Sequence, residues 1–340
     1  ETRQLCWQKM PTTLVCMGLA AACALAFDLI RRALLPRTSF KGKHVVVTGG
    51  SAGIGKAIAA ELLAKGARVT LLARTKSKLE AAVAELSAAL PAGTDGGATV
   101  QYVCASTTSE EQLQAAFTAA ADAFGPPDAL VANAGAAAPG LVLDMPVSTY
   151  ESQMDLNYLG TVRCIKAVLP QMVARRSGQV IIVASGAAVV SFMGYSSYAP
   201  TKWALRGLAD ALRNELCGLG VSVHIAYPPD TETPGFEHEN TTKPVETAAM
   251  VPVDLYPADK VARSLLRGAE GGLYHLPGPD PMLNLLVSSM AGVSPRAYPL
   301  LELCLLPLAG LIEAAASVYF DFWGRKYARR HEAGEAKKAD

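Results

Sequence analysis

The stretch His44-Val45-Val46-Val47-Thr48-Gly49-Gly50-Ser51-Ala52-Gly53-Ile54-Gly55 decides the fold. Its valine run reads as a strand buried on both faces. The glycines then turn the chain into a helix expected over Ile54 to Lys65. Gly49 makes the tight turn, Gly53 lets the backbone approach a pyrophosphate, and Gly55 allows the helix to pack closely. Backbone N–H groups along Ser51, Ala52, Gly53 and Ile54, at the start of that helix, suit phosphate oxygens.

Working outward, β-branched runs alternate with longer Ala/Leu-rich stretches. Strands are expected at His44–Thr48, Arg68–Leu72, Thr99–Cys104, Ala129–Ala132, Gln179–Ala184 and Val221–Ala226. Helices are expected at Ile54–Lys65, Ser77–Leu90, Glu110–Phe124, Ser148–Ala174 and Ser197–Leu216. Right-handed crossovers turn this alternation into an α/β fold, a doubly wound parallel sheet of Rossmann type with helices on both faces. Its ligand crevice lies at the carboxyl ends of the strands. Pro91 to Gly97 reads as a flexible loop.

The 340 residues divide into an N-terminal anchor and basic linker (1–39), a catalytic domain (40–276) and a C-terminal membrane-associated segment with a polar tail (277–340). The hydrophobic share of 51% is high for a soluble enzyme, and the excess lies at the two ends. A net charge of +1 without a basic stripe in the central region excludes nucleic acid as a partner. The seven cysteines form no CxxC or His-paired spacing, so buried, reduced thiols and no metal site are expected.

Thr12 to Phe27 is an apolar run followed by Arg31, Arg32 and Arg37. The favoured reading is a membrane anchor whose basic flank keeps the catalytic domain in the cytosol. The alternative is a cleaved signal, with Ala24-Leu25-Ala26 as its processing site. Beyond Leu276, Met282–Met290 and Leu300–Phe320 are apolar but interrupted. Glu302, Pro307 and Glu313 argue against a simple transmembrane helix there. An interfacial or hairpin-like contact with membrane lipid is one reading, and a cap on the sheet or a homo-oligomer interface is the other. The tail after Gly334 reads as disordered.

At the end of the second strand, where an acid would hold ribose hydroxyls, the chain has Ala73 and Arg74. Arg74, with Lys78 one turn on, suits a 2′-phosphate and so NADPH. The plain alternative is a pair of solvated charges at a helix start.

Asn133-Ala134-Gly135 follows the fourth strand, Asn157 sits in the next helix, Ser185 ends the fifth strand, and Tyr198 precedes Lys202 by one helical turn. Hydride addition to a ketone puts negative charge on its oxygen, which must be held and protonated. Ser185 is suited to hold that oxygen and Tyr198 to protonate it. A free tyrosine, with a pKa of ~10, is a poor acid–base group, and the Lys202 ammonium can tune it while binding the nicotinamide ribose. Asn157 is suited to position a water that relays protons to Lys202. Each of these residues alone has an ordinary structural reading; their order after a glycine-rich first turn does not.

The pattern Thr-Gly-x-x-x-Gly-x-Gly, Asn-Ala-Gly, Asn, Ser, Tyr-x-x-x-Lys resembles the short-chain dehydrogenase/reductase family over roughly two-thirds of the chain. The resemblance implies that Ser106 stands where the family has an adenine-contacting Asp. It also implies that Pro228-Pro229 replaces the usual Pro-Gly before Thr231 and Thr233, the residues expected at the nicotinamide carboxamide.

The loop from Tyr227 to Glu246 is similar to that of the family's sphingoid-base ketoreductases. That narrower resemblance implies a long-chain sphingoid-base ketone as substrate, reduced with NADPH at the cytosolic face of the endoplasmic reticulum membrane. Glu237 or Glu239 would then meet the substrate's ammonium, unless both are merely solvated. A membrane-anchored retinol or steroid dehydrogenase is the alternative enzyme. A catalytically silent NADPH-binding partner is a third reading, and the intact Asn157, Ser185, Tyr198 and Lys202 argue against it.

Overall fold

The computed structural model describes residues 12–90, 99–250 and 254–339. The expected loop at Pro91–Gly97 lies outside them. Seven parallel strands form the main sheet: β1 (His44–Thr48), β2 (Arg68–Ala73), β3 (Val100–Cys104), β4 (Ala129–Ala132), β5 (Gly178–Val183), β6 (Val221–Ala226) and, after a two-stranded pair formed by β7 (Thr231–Glu232) and β8 (Tyr256–Pro257), β9 (His275–Leu276). The order β3-β2-β1-β4-β5-β6-β9 reverses direction between β1 and β4, leaving a crevice beyond their carboxyl ends.

The valine run of β1 explains its central place. Val45 pairs with Val69 on one side and Ala129 on the other, and all five β1 residues are buried. Val46 points into a core that includes residues of α4 (Glu110–Phe124), α6 (Gly160–Ala174) and α7 (Ala199–Leu216). Val45 and Val47 point into the opposite core, with residues of α2 (Gly53–Ala64), α3 (Lys76–Ala88) and α10 (Ala258–Glu270). Alternation along a strand between two covering layers is what a doubly wound sheet requires.

Three expectations are revised. The helix expected over Ser148–Ala174 is α5 (Val147–Met154), a π turn at Asp155–Leu159, and α6. The π turn holds one extra residue per turn, and such turns concentrate at functional sites. Helix α10 occupies a stretch the alternation leaves unassigned, although Val261, Ala262, Leu265, Leu266 and Ala269 bury one face at helical spacing.

The third revision concerns the ends. Thr12–Ala33 forms one helix, α1, with its side chains through Met17 outside the described residues. Between α11 (Pro281–Ser289) and the carboxyl end, Pro299–Ala339 is a single helix, α12, despite Pro307, and it continues through the tail expected to be disordered. The tail's Ala, Glu and Lys residues are strong helix formers. The segment Pro299–Arg329 has mean hydropathy 1.8, is almost wholly exposed, and by length and composition can cross a membrane. The acids that counted against it have partners: Glu302 accepts from Tyr298 N at 2.8 Å and from Ser288 Oγ at 2.6 Å, and Glu313 accepts from Ser289 Oγ.

Helices α1 and α12 are joined where both meet the domain. The fully buried Asp28 carboxylate accepts from the N–H groups of Leu300 (3.1 Å) and Leu301 (2.9 Å), capping α12 from another helix. Arg31 donates to the Arg296 carbonyl at 3.2 Å, and Arg32 lies 4.5 Å over the Tyr298 ring. Asp28→Ala removes the acceptor of two N–H groups at the start of α12, so a loss of about 1–2 kcal/mol is expected, as for other helix caps. Thermal unfolding in detergent measures it, and Asp28→Asn, which keeps an acceptor, should recover part of the loss.

Candidate active site

The site grows from the carboxyl end of β1. Gly49 has a left-handed φ of +67°, and a Cβ there would lie 2.9 Å from Asn133 Nδ2. A Cβ on Gly55 would lie 2.3 Å from the Gly49 carbonyl oxygen, so this glycine lets α2 start directly against the turn. Thr48 Oγ1 accepts from the N–H groups of Asn133 and Ala134, both at 3.0 Å, and Asn133 Nδ2 donates to Thr48 O at 3.1 Å. The glycine turn and the Asn-Ala-Gly segment are thus one hydrogen-bonded floor. No side chain caps the first turn of α2, whose N-cap is Ala52, so its N–H groups stay available for an anion.

Asn157 is fully buried at the π turn. Its Oδ1 accepts from Ala136 N at 3.0 Å, and its Nδ2 lies within hydrogen-bond distance of Ala136 O, Gln153 Oε1 and Thr201 Oγ1. Its amide therefore ties the chain after β4 to α7, in addition to any role toward water. A Cβ on Gly135 would lie 2.8 Å from Asn157 Oδ1 and 3.4 Å from Lys202 Nζ, which brings Gly135, Asn157 and Lys202 to one point.

Ser185 follows β5 with its Oγ accepting from Ala187 N at 3.1 Å, and its hydroxyl is near enough to the Tyr198 phenol to favour the ionised form. Tyr198 is the N-cap of α7, and Lys202, one turn into that helix, places Nζ 5.5 Å from the Tyr198 ring centroid. Lys202 Nζ donates to Val183 O at 3.3 Å. Burial pulls the Lys202 pKa down to about 8. Burial also raises that of Tyr198, with the Ser185 hydroxyl opposing and the Glu239 and Asp230 charges adding to the rise. The phenol is thus held in the protonated form that a proton donor needs.

These groups open on a cavity of about 490 Å³. Its wall includes Gly49, Ala52, Gly53, Ile54, Asn133, Ala134 and Gly135 together with Ser185, Tyr198, Lys202, Pro228, Thr231 and Thr233. Thr231 donates to Pro229 O at 2.7 Å, and Thr233 caps α8 (Pro234–Thr242) by accepting from Phe236 N while its side chain lies against Gly53. Five expected cofactor residues lie outside this wall, Gly55 among them because it packs against the Gly49 carbonyl of the turn. Ser51 sits in the glycine turn; Arg74 and Lys78 are exposed beyond β2, and neither side chain has an ion-pair partner among the described residues. Ser106 follows β3 with its hydroxyl 2.7 Å from Thr108 Oγ1.

Tyr195, Asp230, Glu239 and Lys243, also in the wall, lie outside the cofactor and catalytic motifs. Glu239 accepts a hydrogen bond from Tyr195 Oη and lies 3.7 Å from Lys243 Nζ, and Asp230 lines the same cavity. Glu237 is exposed and does not line the cavity, so the two candidate acids are separated. Burial raises the pKa of Glu239 and of Asp230. Phe192, also in the wall, stacks on Phe320 of α12 with centroids 6.1 Å apart.

A family model described as short chain dehydrogenase matches residues 43–244. A 3-ketodihydrosphingosine reductase of Bos taurus is 39% identical over 81% of this chain and 85% of its own length. A 3-dehydrosphinganine reductase of Danio rerio is 37% identical over 81% and 84%. A 3-ketodihydrosphingosine reductase of Dictyostelium discoideum is 33% identical over 85% and 90%. Among solved structures, a short chain dehydrogenase/reductase family protein has a TM-score of 0.58 at 26% identity, covering 70% of this chain and 97% of its own. A variant actinorhodin polyketide ketoreductase with NADPH has a TM-score of 0.61 at 26% identity, covering 68% and 94%. The chain belongs to the short-chain dehydrogenase family and, with it, to the oxidoreductases that use a nicotinamide cofactor.

Proposed function

We propose that the protein reduces the 3-keto group of 3-ketodihydrosphingosine to dihydrosphingosine with NADPH, at the cytosolic face of the endoplasmic reticulum membrane. One observation carries this reading: the cavity lined by Tyr198, Ser185 and Lys202 has a wall that runs, through Phe192 and Phe320, directly onto the apolar helix α12. A long-chain ketone held in a bilayer can reach such a cavity head first, leaving its chain along the apolar surface. Exposed Val142, Leu143, Val147 and Val245, none of them buried in a core, add apolar area to the same molecule. The activities for which the relatives are named agree with this ketone.

The cofactor residues fit a dinucleotide: the glycine turn leaves room where any Cβ would collide, and the uncapped start of α2 offers donors to phosphate. When bound, the nicotinamide supplies the hydride. The chain's own groups do the rest. Ser185 Oγ holds the ketone oxygen, Tyr198 gives it the phenolic proton, and Lys202 beside the ring stabilises the phenolate left behind. Asn157 fixes Ala136 and α7 so that these groups keep their spacing, and it lies beside Lys202, where a relaying water would be needed.

Arg74 and Lys78 select the phosphorylated cofactor in this account. Arg74→Ala is expected to raise KM for NADPH roughly tenfold or more, with little change for NADH. Initial rates with both cofactors check this, and an unchanged NADPH preference contradicts it. The reaction itself is tested by incubating the purified chain, in detergent or liposomes, with NADPH and 3-ketodihydrosphingosine, and identifying dihydrosphingosine by mass spectrometry.

A further inference from the structure

We propose that Asp230 and Glu239 form an amine subsite, which binds the ammonium on the carbon next to the ketone and so selects amino ketones over plain ones. The inference rests on the reduction proposed above. Both carboxylates line the cavity that contains Ser185, Tyr198 and Lys202. Glu239 is bonded to Tyr195, whose ring centroid is 6.2 Å from that of Tyr198, so its charge sits one aromatic ring away from the proton to be transferred. An α-amino ketone carries its nitrogen on the carbon adjoining the carbonyl, and this short separation calls for an anionic group close beside the proton donor.

The charges balance for such a ligand. Lys243 Nζ lies 3.7 Å from the Glu239 carboxylate and 4.7 Å from the Phe236 ring centroid, and its side chain is only 8% exposed. It offsets one of the two negative charges. The Asp230 carboxylate makes no hydrogen bond or ion pair at contact distance among the described residues and feels the Lys243 charge only at longer range, so it lines the cavity without a direct partner. A desolvated carboxylate without a partner is costly, and a ligand ammonium relieves that cost. Burial raises the pKa of both acids, and the Lys243 charge opposes that rise at each of them. Glu237, two residues before Glu239 on α8, is exposed, so the subsite uses one face of that helix.

The test compares three ketones of equal chain length: 3-ketodihydrosphingosine, its N-acetyl derivative, and the ketone lacking the amine. Wild type, Asp230→Asn, Glu239→Gln and the charge-retaining Asp230→Glu are assayed, with NADPH binding followed by fluorescence to verify folding. Wild type should favour the amino ketone. In Asp230→Asn and Glu239→Gln the ratio of kcat/KM between amino and amine-free ketone should fall roughly thirtyfold or more, mainly through KM, and Asp230→Glu should restore part of it. If both neutral variants bind NADPH and keep the wild-type ratio, the subsite is overturned while the reductase reading stands. Wild type that reduces none of the three overturns both.

Discussion

Replacing Tyr198 by Phe is expected to lower kcat roughly a hundred- to ten-thousandfold, the range that a positioned general acid contributes. Phenylalanine keeps the ring that faces Tyr195 at 6.2 Å and Lys202 Nζ at 5.5 Å, so the cavity's shape survives. Only the hydroxyl goes, and with it the proton for the ketone oxygen and the polar neighbour of the Ser185 hydroxyl. Affinity for NADPH, measured by fluorescence titration, should stay within a few-fold of wild type. Single-turnover NADPH oxidation in the presence of ketone reads the chemical step. Near-wild-type turnover by Tyr198→Phe would remove this residue from the mechanism and leave Lys202 or a water as the donor.

Gly55→Val should damage the fold itself. Its Cβ would fall 2.3 Å from the Gly49 carbonyl oxygen and 2.6 Å from Asn133 Nδ2, and the first of these is backbone that cannot swing aside. Helix α2 must then lift off the glycine turn, opening the floor that joins Thr48 to Asn133. A destabilisation of about 3 kcal/mol is expected, at the upper end for overpacking, together with loss of NADPH binding. Gly207 supplies the contrast. It is exposed on α7 with nothing within 4 Å of an added Cβ, so Gly207→Ala should stabilise by about 0.5–1 kcal/mol through helix propensity. Thermal unfolding of the two variants side by side checks the pair. Equal effects would mean that the close approach at Gly55 has no energetic weight.

The central strands were legible because burial on both faces demands near-continuous apolar runs, and Val45–Val47 or Val180–Val183 can hardly be anything else. Strand β9 was not, since two residues carry no periodicity. The π turn at Asp155–Leu159 inserts one residue into an otherwise helical pattern, which hydrophobic spacing does not register. Helix α12 was obscured by Glu302, Pro307 and Glu313, because the groups that donate to the two acids, Ser288, Ser289 and Tyr298, lie outside the helix. Sequence counts an acid as a cost; only the fold reveals its partner.

The candidate site divides the same way. Gly49, Asn133, Ser185, Tyr198 and Lys202 announce themselves because each sits in a short motif tied to a strand end or a helix start. Asp230, Glu239 and Lys243 lie in the loop that the narrower resemblance marks, whereas Tyr195, which meets Glu239 from another segment, has no local pattern of its own. Glu237 and Glu239 stand two positions apart on α8, about 200° around the helix. Choosing between them needed the orientation of α8, which depends on Thr233 capping it beside Gly53.

The most direct test of the central claim is NADPH oxidation by the purified full chain with 3-ketodihydrosphingosine, run beside a steroid ketone under the same conditions. The account predicts turnover of the sphingoid ketone with a kcat/KM at least tenfold above that of the steroid, a difference of roughly 1.4 kcal/mol in transition-state binding. A steroid ketone reduced equally well or better, or no oxidation with the sphingoid ketone, would contradict it.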